Sequence, residues 1–456
     1  MTKNVFTAFS GYDSQMMALR QLSKDTDLKF ELVGWSEIEP TAIVAHNAAF
    51  PEYSDCNYGD ISKINWTEVP DFDVFTYSFP CQAVSRSGKS EGIRKGSGTT
   101  SSLLWECERA IRIKRPLYCI MENVKALVTK QKTKKDDDTE STIMYEDFMV
   151  WEYTMCRLGY WNYLKVLDAA DYGVPQHRER TIMVSIRKDN GLDPHYEFPP
   201  ALNRNPAPVN SILEKKQVDE KNYLPDENTR SCIAILAYGD NGLSSVKMPI
   251  IDKDTLKNSH PVKKIITPTT RKGLATTLMA SSFNGVSNLR YYLSTGNYPK
   301  TGVFEVWECK QNLEHEKVDW NKLSEKISIK KTRGIYNTSR KEICDSVKNL
   351  KSNQFIRLRG LTASECLRLM SVPKEYMDRM LDPEVKLKKL NYSEDAIKAM
   401  MTLSTTNKKT GKVIEKYITT NESALKKMAG NSIVVDMLYY IFRSLFIHNK
   451  HKKTIV

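Results

Sequence analysis

Paired cysteines are missing from this sequence. Its nine Cys are scattered, with no C-x-x-C anywhere. Such a set argues against a disulfide framework and a structural zinc, and fits a reducing cytosol. No apolar run approaches the length of a membrane span. Met1-Thr2-Lys3-Asn4 leads straight into Val5-Phe6-Thr7-Ala8-Phe9, so a secretory signal pattern is lacking at the start. No internal repeat is present. The first strand-like segment is not followed by G-x-G-x-x-G, which excludes the nicotinamide dehydrogenase pattern. Acidic residues are in deficit, 55 against 68 basic, for a formal net charge of +13. A basic excess suits a polyanion, because Lys and Arg contacts to phosphates release counterions. A solvated basic surface would carry the same excess.

The 456 residues suffice for one large core and two or three domains. From Val5 to about Arg187, strand-like and helix-like segments alternate. Strands are expected at Val5–Phe9, Phe30–Trp35, Asp73–Tyr77, Leu117–Met121, Tyr163–Leu167 and Thr181–Ile186. Helices are expected at Gln15–Leu22, Pro40–Asn47, Leu103–Lys114 and Tyr145–Leu158. The alternation predicts an α/β fold, a parallel sheet with helices on both faces. Ligands of such sheets bind at the carboxyl ends of the strands. Lys130–Thr142 reads as a solvated loop insertion. The alternation stops near Asp189. From there to about Gln354 the chain is rich in Pro, Asn, Lys and Ser, with short strand-like pieces at Ile265-Ile266 and Val303–Val306. It reads as a smaller, irregular domain. Helical pattern returns at Thr362–Met370 and Ile433–Ile447, around a Lys-rich, weakly patterned stretch at 382–422.

The chemistry gathers where strands end. Tyr77-Ser78-Phe79-Pro80-Cys81-Gln82 places a thiol between a buried strand and a long polar loop. Pro80 disfavours helix at Phe79. Such a Cys is placed as a nucleophile, or is a small buried residue. Phe9-Ser10-Gly11-Tyr12 opens a helix after the first strand, a place for close ligand approach or an ordinary tight turn. Glu37 ends the second strand, where a carboxylate accepts from ribose hydroxyls or caps a helix. Asp60 accepts from an adenine amino group or closes a turn. Glu122 ends the strand after Cys81. Partial desolvation there raises a carboxyl's pKa and lets it carry a proton near neutrality; a surface Glu is the plainer alternative. Arg178 and Arg180 alternate along an extended segment. They are placed to hold Glu122, a substrate carbonyl or a phosphate, or to be a charged strand edge.

Together these residues resemble the DNA (cytosine-5) methyltransferase family. Phe9-Ser10-Gly11 resembles its first cofactor motif, and Glu37 and Asp60-Ile61 its ribose and adenine positions. Phe79-Pro80-Cys81-Gln82 is similar to the Pro-Cys-Gln loop, Glu122-Asn123-Val124 to Glu-Asn-Val, and Gln176-x-Arg178-x-Arg180 to Gln-x-Arg-x-Arg. Arg359-x-Leu361-Thr362-x-x-Glu365-Cys366-x-Arg368-Leu369 resembles the motif after the recognition domain, and Gly430-Asn431-Ser432 the last motif. The sequence departs from the family at Asp13, Ser14 and Ser78, where glycine is usual, and in the length of the stretch, about sixty residues, between Leu369 and Gly430.

The resemblance implies a Rossmann-like catalytic domain at 1–188, a target-recognition domain at 189–354 and a return to the catalytic domain at 355–456. It implies S-adenosylmethionine as methyl donor, S-adenosylhomocysteine as product, and no metal. Cofactor contacts are expected at Phe9, Gly11, Tyr12, Glu37, Ile38, Asp60, Ile61, Leu103, Asn431 and Ser432. Gln82, Ser85, Arg86 and Gln176 are expected to touch DNA. Cys81 adds to C6 of a flipped-out cytosine, Glu122 holds or protonates N3, and Arg178 and Arg180 fix Glu122 and the base carbonyl. The loop Ala83–Ser102 is a candidate lid. The expected partner is double-stranded DNA, with a cognate restriction endonuclease alongside. The expected protein is a monomer away from membranes, in a bacterial or phage-infected cytoplasm. A tRNA methyltransferase and a non-catalytic DNA-binding relative are the competing readings. A zinc deaminase is excluded, because P-C-x-x-C would need Cys where Val84 stands.

Overall fold

The computed structural model describes residues 2–80, 93, 95–128, 143–190, 195–224, 229, 247–249, 251, 253–267, 275, 302–317, 338–406 and 412–447. The chain begins with β1 (Thr2–Ala8), α1 (Ser14–Asp25), β2 (Lys29–Ser36) and α2 (Pro40–Ala49). β3 (Val74–Tyr77), α3 (Leu104–Lys114), β4 (Tyr118–Val124) and α4 (Ile143–Arg157) follow, then β5 (Tyr160–Asp168) and β6 (Glu179–Arg187). These strands form one sheet in the order β2-β1-β3-β4-β6-β5. Side chains alternate across it, as the pleat requires. Val5, Val74 and Ile120 enter one core with α1. Phe6, Phe75, Cys119 and Met121 enter the other, with α3 and α4.

The sheet is mixed, which corrects the expectation of an all-parallel one. β1 to β4 pair in parallel. β6 runs antiparallel to both β4 and β5. The link from β5 to β6 holds only a 3₁₀ turn, Ala169–Tyr172. A parallel return needs a crossover of about a dozen residues or more, usually a helix. Without one, the last two strands fold as a hairpin.

The middle region is more regular than its composition suggests. β7 (Lys247–Pro249), α5 (Lys253–Lys257), β8 (Ser259–Thr267), β9 (Gly302–Cys309), β10 (His315–Lys317), α6 (Thr338–Lys348) and β11 (Gln354–Gly360) lie along it. β8, β9 and β11 make an antiparallel sheet with β9 at its centre. The sheet takes in Gln354–Gly360, past the expected boundary at 354.

Then come α7 (Ala363–Leu369), α8 (Lys374–Leu381), α9 (Pro383–Lys388), α10 (Glu394–Met401), β12 (Thr402–Thr406), β13 (Val413–Tyr417), α11 (Glu422–Asn431) and α12 (Val435–Phe446). The Lys-rich stretch therefore holds two short helices and a hairpin. Three of its apolar residues, Leu387, Ile397 and Met401, are buried against Val44 of α2. Each such side chain contributes about 1.5–3 kcal/mol by burial. α12 returns to the main core, where Leu438, Ile441, Phe442 and Leu445 recur at helical spacing.

Candidate active site

Glu122 is one of the last residues of β4, and the antiparallel pairing sets Val124 opposite Arg180 of β6. The Arg180 Nε lies 3.0 Å from Glu122 Oε1. Glu122 is 7% exposed. Burial pushes its carboxyl above the ordinary value, and Arg180, Arg178 and the Ser78 hydroxyl partly offset that rise.

The next residue ties this acid to the cysteine loop. Asn123 Nδ2 donates to the Phe79 carbonyl at 3.1 Å, in a buried bond. Ser101 Oγ donates to the Pro80 carbonyl at 2.7 Å. Phe79 is itself buried. The two successive carbonyls that lead into Cys81 are therefore both held. Cys81, Gln82, Ser85 and Arg86 lie outside the described residues. Beyond them Ile93 is fully buried, its N–H donating to Asp147 Oδ2 and its carbonyl accepting from Trp105 Nε1. The second half of the expected lid is anchored, with Lys95 on Glu108 at 2.6 Å and a 3₁₀ turn at Thr100–Leu103. Leu103 is half-buried at the end of that turn.

Arg178 and Gln176 take other partners. Arg178 is fully buried, and its Nη2 donates to the carbonyls of Gly430 (3.0 Å) and Ser432 (2.6 Å). It lies just before β6. Its charge acts on Glu122 while its hydrogen bonds hold the returning segment. Gln176 has no exposed surface, and its amide donates to the Leu369 carbonyl at 3.0 Å. In this conformation the side chain is an internal tie to α7.

The turn from β1 to α1 faces the other expected site. Phe9, Gly11 and Asp13 all have left-handed backbones, with φ of 55°, 57° and 62°. The space that a Cβ on Gly11 would enter is open. The Gly11 N–H donates to Glu37 Oε2 at 3.0 Å, and Glu37 Oε1 accepts from the N–H groups of Ile38 and Glu39. Ile38 is 65% exposed, an uncovered apolar side chain beside that carboxylate. Asp60 caps the turn Ile61–Lys63 through Ser62. Partial burial would raise its carboxyl, but the Ser62 hydrogen bonds outweigh this and lower it. Ile61 is buried. The Tyr12 hydroxyl is pushed up to about 12 by burial, and Ser432 and Ser14 lie against it. The Ser14 and Ser432 hydroxyls are 2.6 Å apart. Asn431, at the end of α11, is exposed. Carboxylate acceptors, an open glycine turn and an exposed apolar side chain fit a nucleoside-bearing cofactor.

Sequence reasoning missed the Asn123 tether, the Ser101 clamp and His46, whose Nε2 lies 3.3 Å from Asp13 Oδ2 beneath the first turn. Asn123 is visible within Glu-Asn-Val, but its bond reaches Phe79, past the end of β3 and 44 residues away in the chain. His46 carries no local signal.

A family model described as C-5 cytosine-specific DNA methylase matches residues 4–388. The chain belongs to this family. It is 34% identical over 271 residues to the type II methyltransferase M2.ScrFI of Lactococcus lactis subsp. cremoris, covering 48% of this chain and 69% of that protein. It is 35% identical over 185 residues to the orphan methyltransferase M.SssI of Spiroplasma monobiae, covering 40% of this chain and 43% of that one. The match thus spans about two thirds of the first relative and less than half of the second. The fold is similar to that of Spodoptera frugiperda DNMT2 (TM-score 0.52, 16% identity, 97% of this chain and 99% of that one). It is similar also to the Entamoeba histolytica methyltransferase EhMeth (TM-score 0.53, 13% identity, 98% of each). Among the described residues no helix is long and apolar enough to cross a membrane. No group of three or more His, Cys, Asp or Glu among them could hold a metal.

Proposed function

We propose that this chain methylates C5 of a cytosine extruded from a specific DNA sequence, using S-adenosylmethionine. The observation that carries the reading is Glu122: a buried acid, ion-paired to Arg180, on a strand bonded through Asn123 to the segment entering Cys81.

When bound, S-adenosylmethionine supplies an electrophilic methyl group on sulfonium. Cytosine C5 is a poor nucleophile until C6 is attacked. The Cys81 thiolate adds at C6, and Glu122 holds the proton at N3, so C5 gains enamine character and takes the methyl. Loss of the C5 proton to a solvent base and expulsion of the thiolate restore the ring, with S-adenosylhomocysteine as the other product. Arg180 keeps the Glu122 carboxyl oriented. Extruding the base costs roughly a few kcal/mol. The basic excess of the chain supports a nucleic-acid partner.

The region 189–354 is the recognition element in this reading, and β8 and β9 form its frame. The protein acts as a monomer, beside a restriction endonuclease of the same specificity. Expression in a methylation-free host, with base-resolution conversion sequencing, tests activity and reveals the target site together. A genome left free of 5-methylcytosine by well-expressed protein would sink the proposal. Labelled-cofactor assays on duplex DNA and on tRNA separate the two substrates.

A further inference from the structure

We infer that Asp13 is a positioning residue for the cofactor turn, its carboxylate holding Phe9–Gly11 in the shape that receives the ligand. This deepens the cofactor reading above and rests on it. Asp13 is fully buried, and its φ of 62° and ψ of 61° lie in the left-handed region, which residues with a Cβ seldom adopt. Its Oδ1 accepts from the Met16 N–H of α1 at 2.9 Å. Its Oδ2 lies 2.8 Å from Thr7 Oγ1 of β1 and 3.3 Å from His46 Nε2 of α2. The His46 ring lies flat on Trp35 of β2, with centroids 3.7 Å apart and planes at 15°. One carboxylate therefore connects the first strand to both flanking helices and, through that stack, to the second strand.

The same elements carry the ligand-facing groups. The Asp13 N–H donates to the Ser10 carbonyl at 2.8 Å, and the Ser10 N–H to the Ser36 carbonyl at 3.2 Å. Gly11 then bonds Glu37 just beyond Ser36. The Phe9–Gly11 turn is clamped from beneath by Asp13 and from the side by β2. Asp13 has no exposed surface with which to touch a ligand. Its contribution is to fix the turn before binding, so that less conformational freedom is lost when the cofactor arrives.

A plain helix cap would affect stability alone, so the test separates affinity from folding. S-adenosylmethionine binding is measured by calorimetry, and KM and kcat by methyl transfer, for the parent, Asp13→Gly, Asp13→Asn and Thr7→Val. Glycine keeps the left-handed backbone but removes the carboxylate. Asp13→Gly is expected to weaken binding about tenfold and raise KM in step, with kcat at saturation within about threefold. Asp13→Asn, which retains the capping oxygen and a polar group toward Thr7 and His46, is expected to bind as the parent does, more tightly than Thr7→Val. Thr7→Val removes one partner at constant shape and is expected to weaken binding by about threefold. Parent-like affinity in Asp13→Gly overturns the inference. So does parent-like affinity in Thr7→Val, or a change confined to the thermal midpoint. A parent chain that binds no S-adenosylmethionine sinks the cofactor reading itself.

Discussion

Arg359 and Glu365 face each other without solvent exposure, joined by two parallel hydrogen bonds of 2.7 and 2.8 Å. The Arg359 Nε reaches Glu305 of β9 at 2.8 Å, and Glu305 also accepts from the Tyr223 hydroxyl and the Trp307 indole. Glu365 in turn closes a capping box with Thr362 at the start of α7. The second sheet is thereby bonded to a helix of the main core through a single guanidinium.

Arg359→Ala should destabilise the protein by about 3–5 kcal/mol, because Glu365 stays buried without its cation and Glu305 keeps only Lys264, 3.5 Å away. Arg359→Lys should fall between, since an ammonium cannot make the paired fork. Urea unfolding checks both. Burial would raise the Glu365 carboxyl, but the bonds and charge of Arg359 outweigh this and lower it. Its contribution is therefore full above the ordinary Glu value and lost as pH falls through the lowered one. Glu365→Gln should flatten that acid loss. An unchanged acid slope in that variant would refute the assignment.

Glu122→Gln should lower single-turnover methyl transfer about 10²–10⁴-fold with DNA binding kept. In the parent the carboxyl is raised by burial, so its protonated form persists to higher pH than in an ordinary Glu. The transfer rate should fall as pH climbs through that raised value. The stability held by this proton is likewise present at low pH and lost over the same rise. Arg180→Gln removes the nearest charge that lowers the carboxyl, so the alkaline limb should move to higher pH. A limb that moves downward contradicts the arrangement.

Cys81→Ala should abolish transfer and leave duplex binding within about threefold of the parent, since the thiol is assigned to bond formation and not to docking. A gel-shift titration beside a labelled-methyl assay reads both. Continued 5-methylcytosine formation would remove Cys81 from the mechanism.

Asn123→Ala breaks the buried bond to the Phe79 carbonyl and leaves that acceptor unpaired, at a cost of about 1–3 kcal/mol. The turnover rate should drop by about tenfold or more while the cofactor Kd holds, because the turn at Gly11 is built from other strands. Equal losses in both would show that the tether acts on the whole fold.

Motif order in the sequence pointed to the family that the match over residues 4–388 shows. The elements from β1 to β4 were legible because alternating apolar runs and helical spacing report local burial. The antiparallel turn of β6 was not, since strand direction depends on the length of a link and not on the strand's own residues. Glu122 and Arg180 could be paired in advance through their motifs. Arg178 could not be placed, because its partners are backbone carbonyls at Gly430 and Ser432, which leave no mark on residue type. The order within the Lys-rich stretch was hidden for a related reason: three apolar side chains find their cover on α2, far away in the chain.

The seating of α12 on α1 sets a schedule for biosynthesis. Tyr439 of α12 bonds Asp25 of α1, 414 positions earlier. On the ribosome α1 must wait for α12 before its apolar face is covered. Until then Met17, Leu19 and Leu22 lack part of their packing, and a nascent chain stalled before α12 is a natural client for chaperones and proteases.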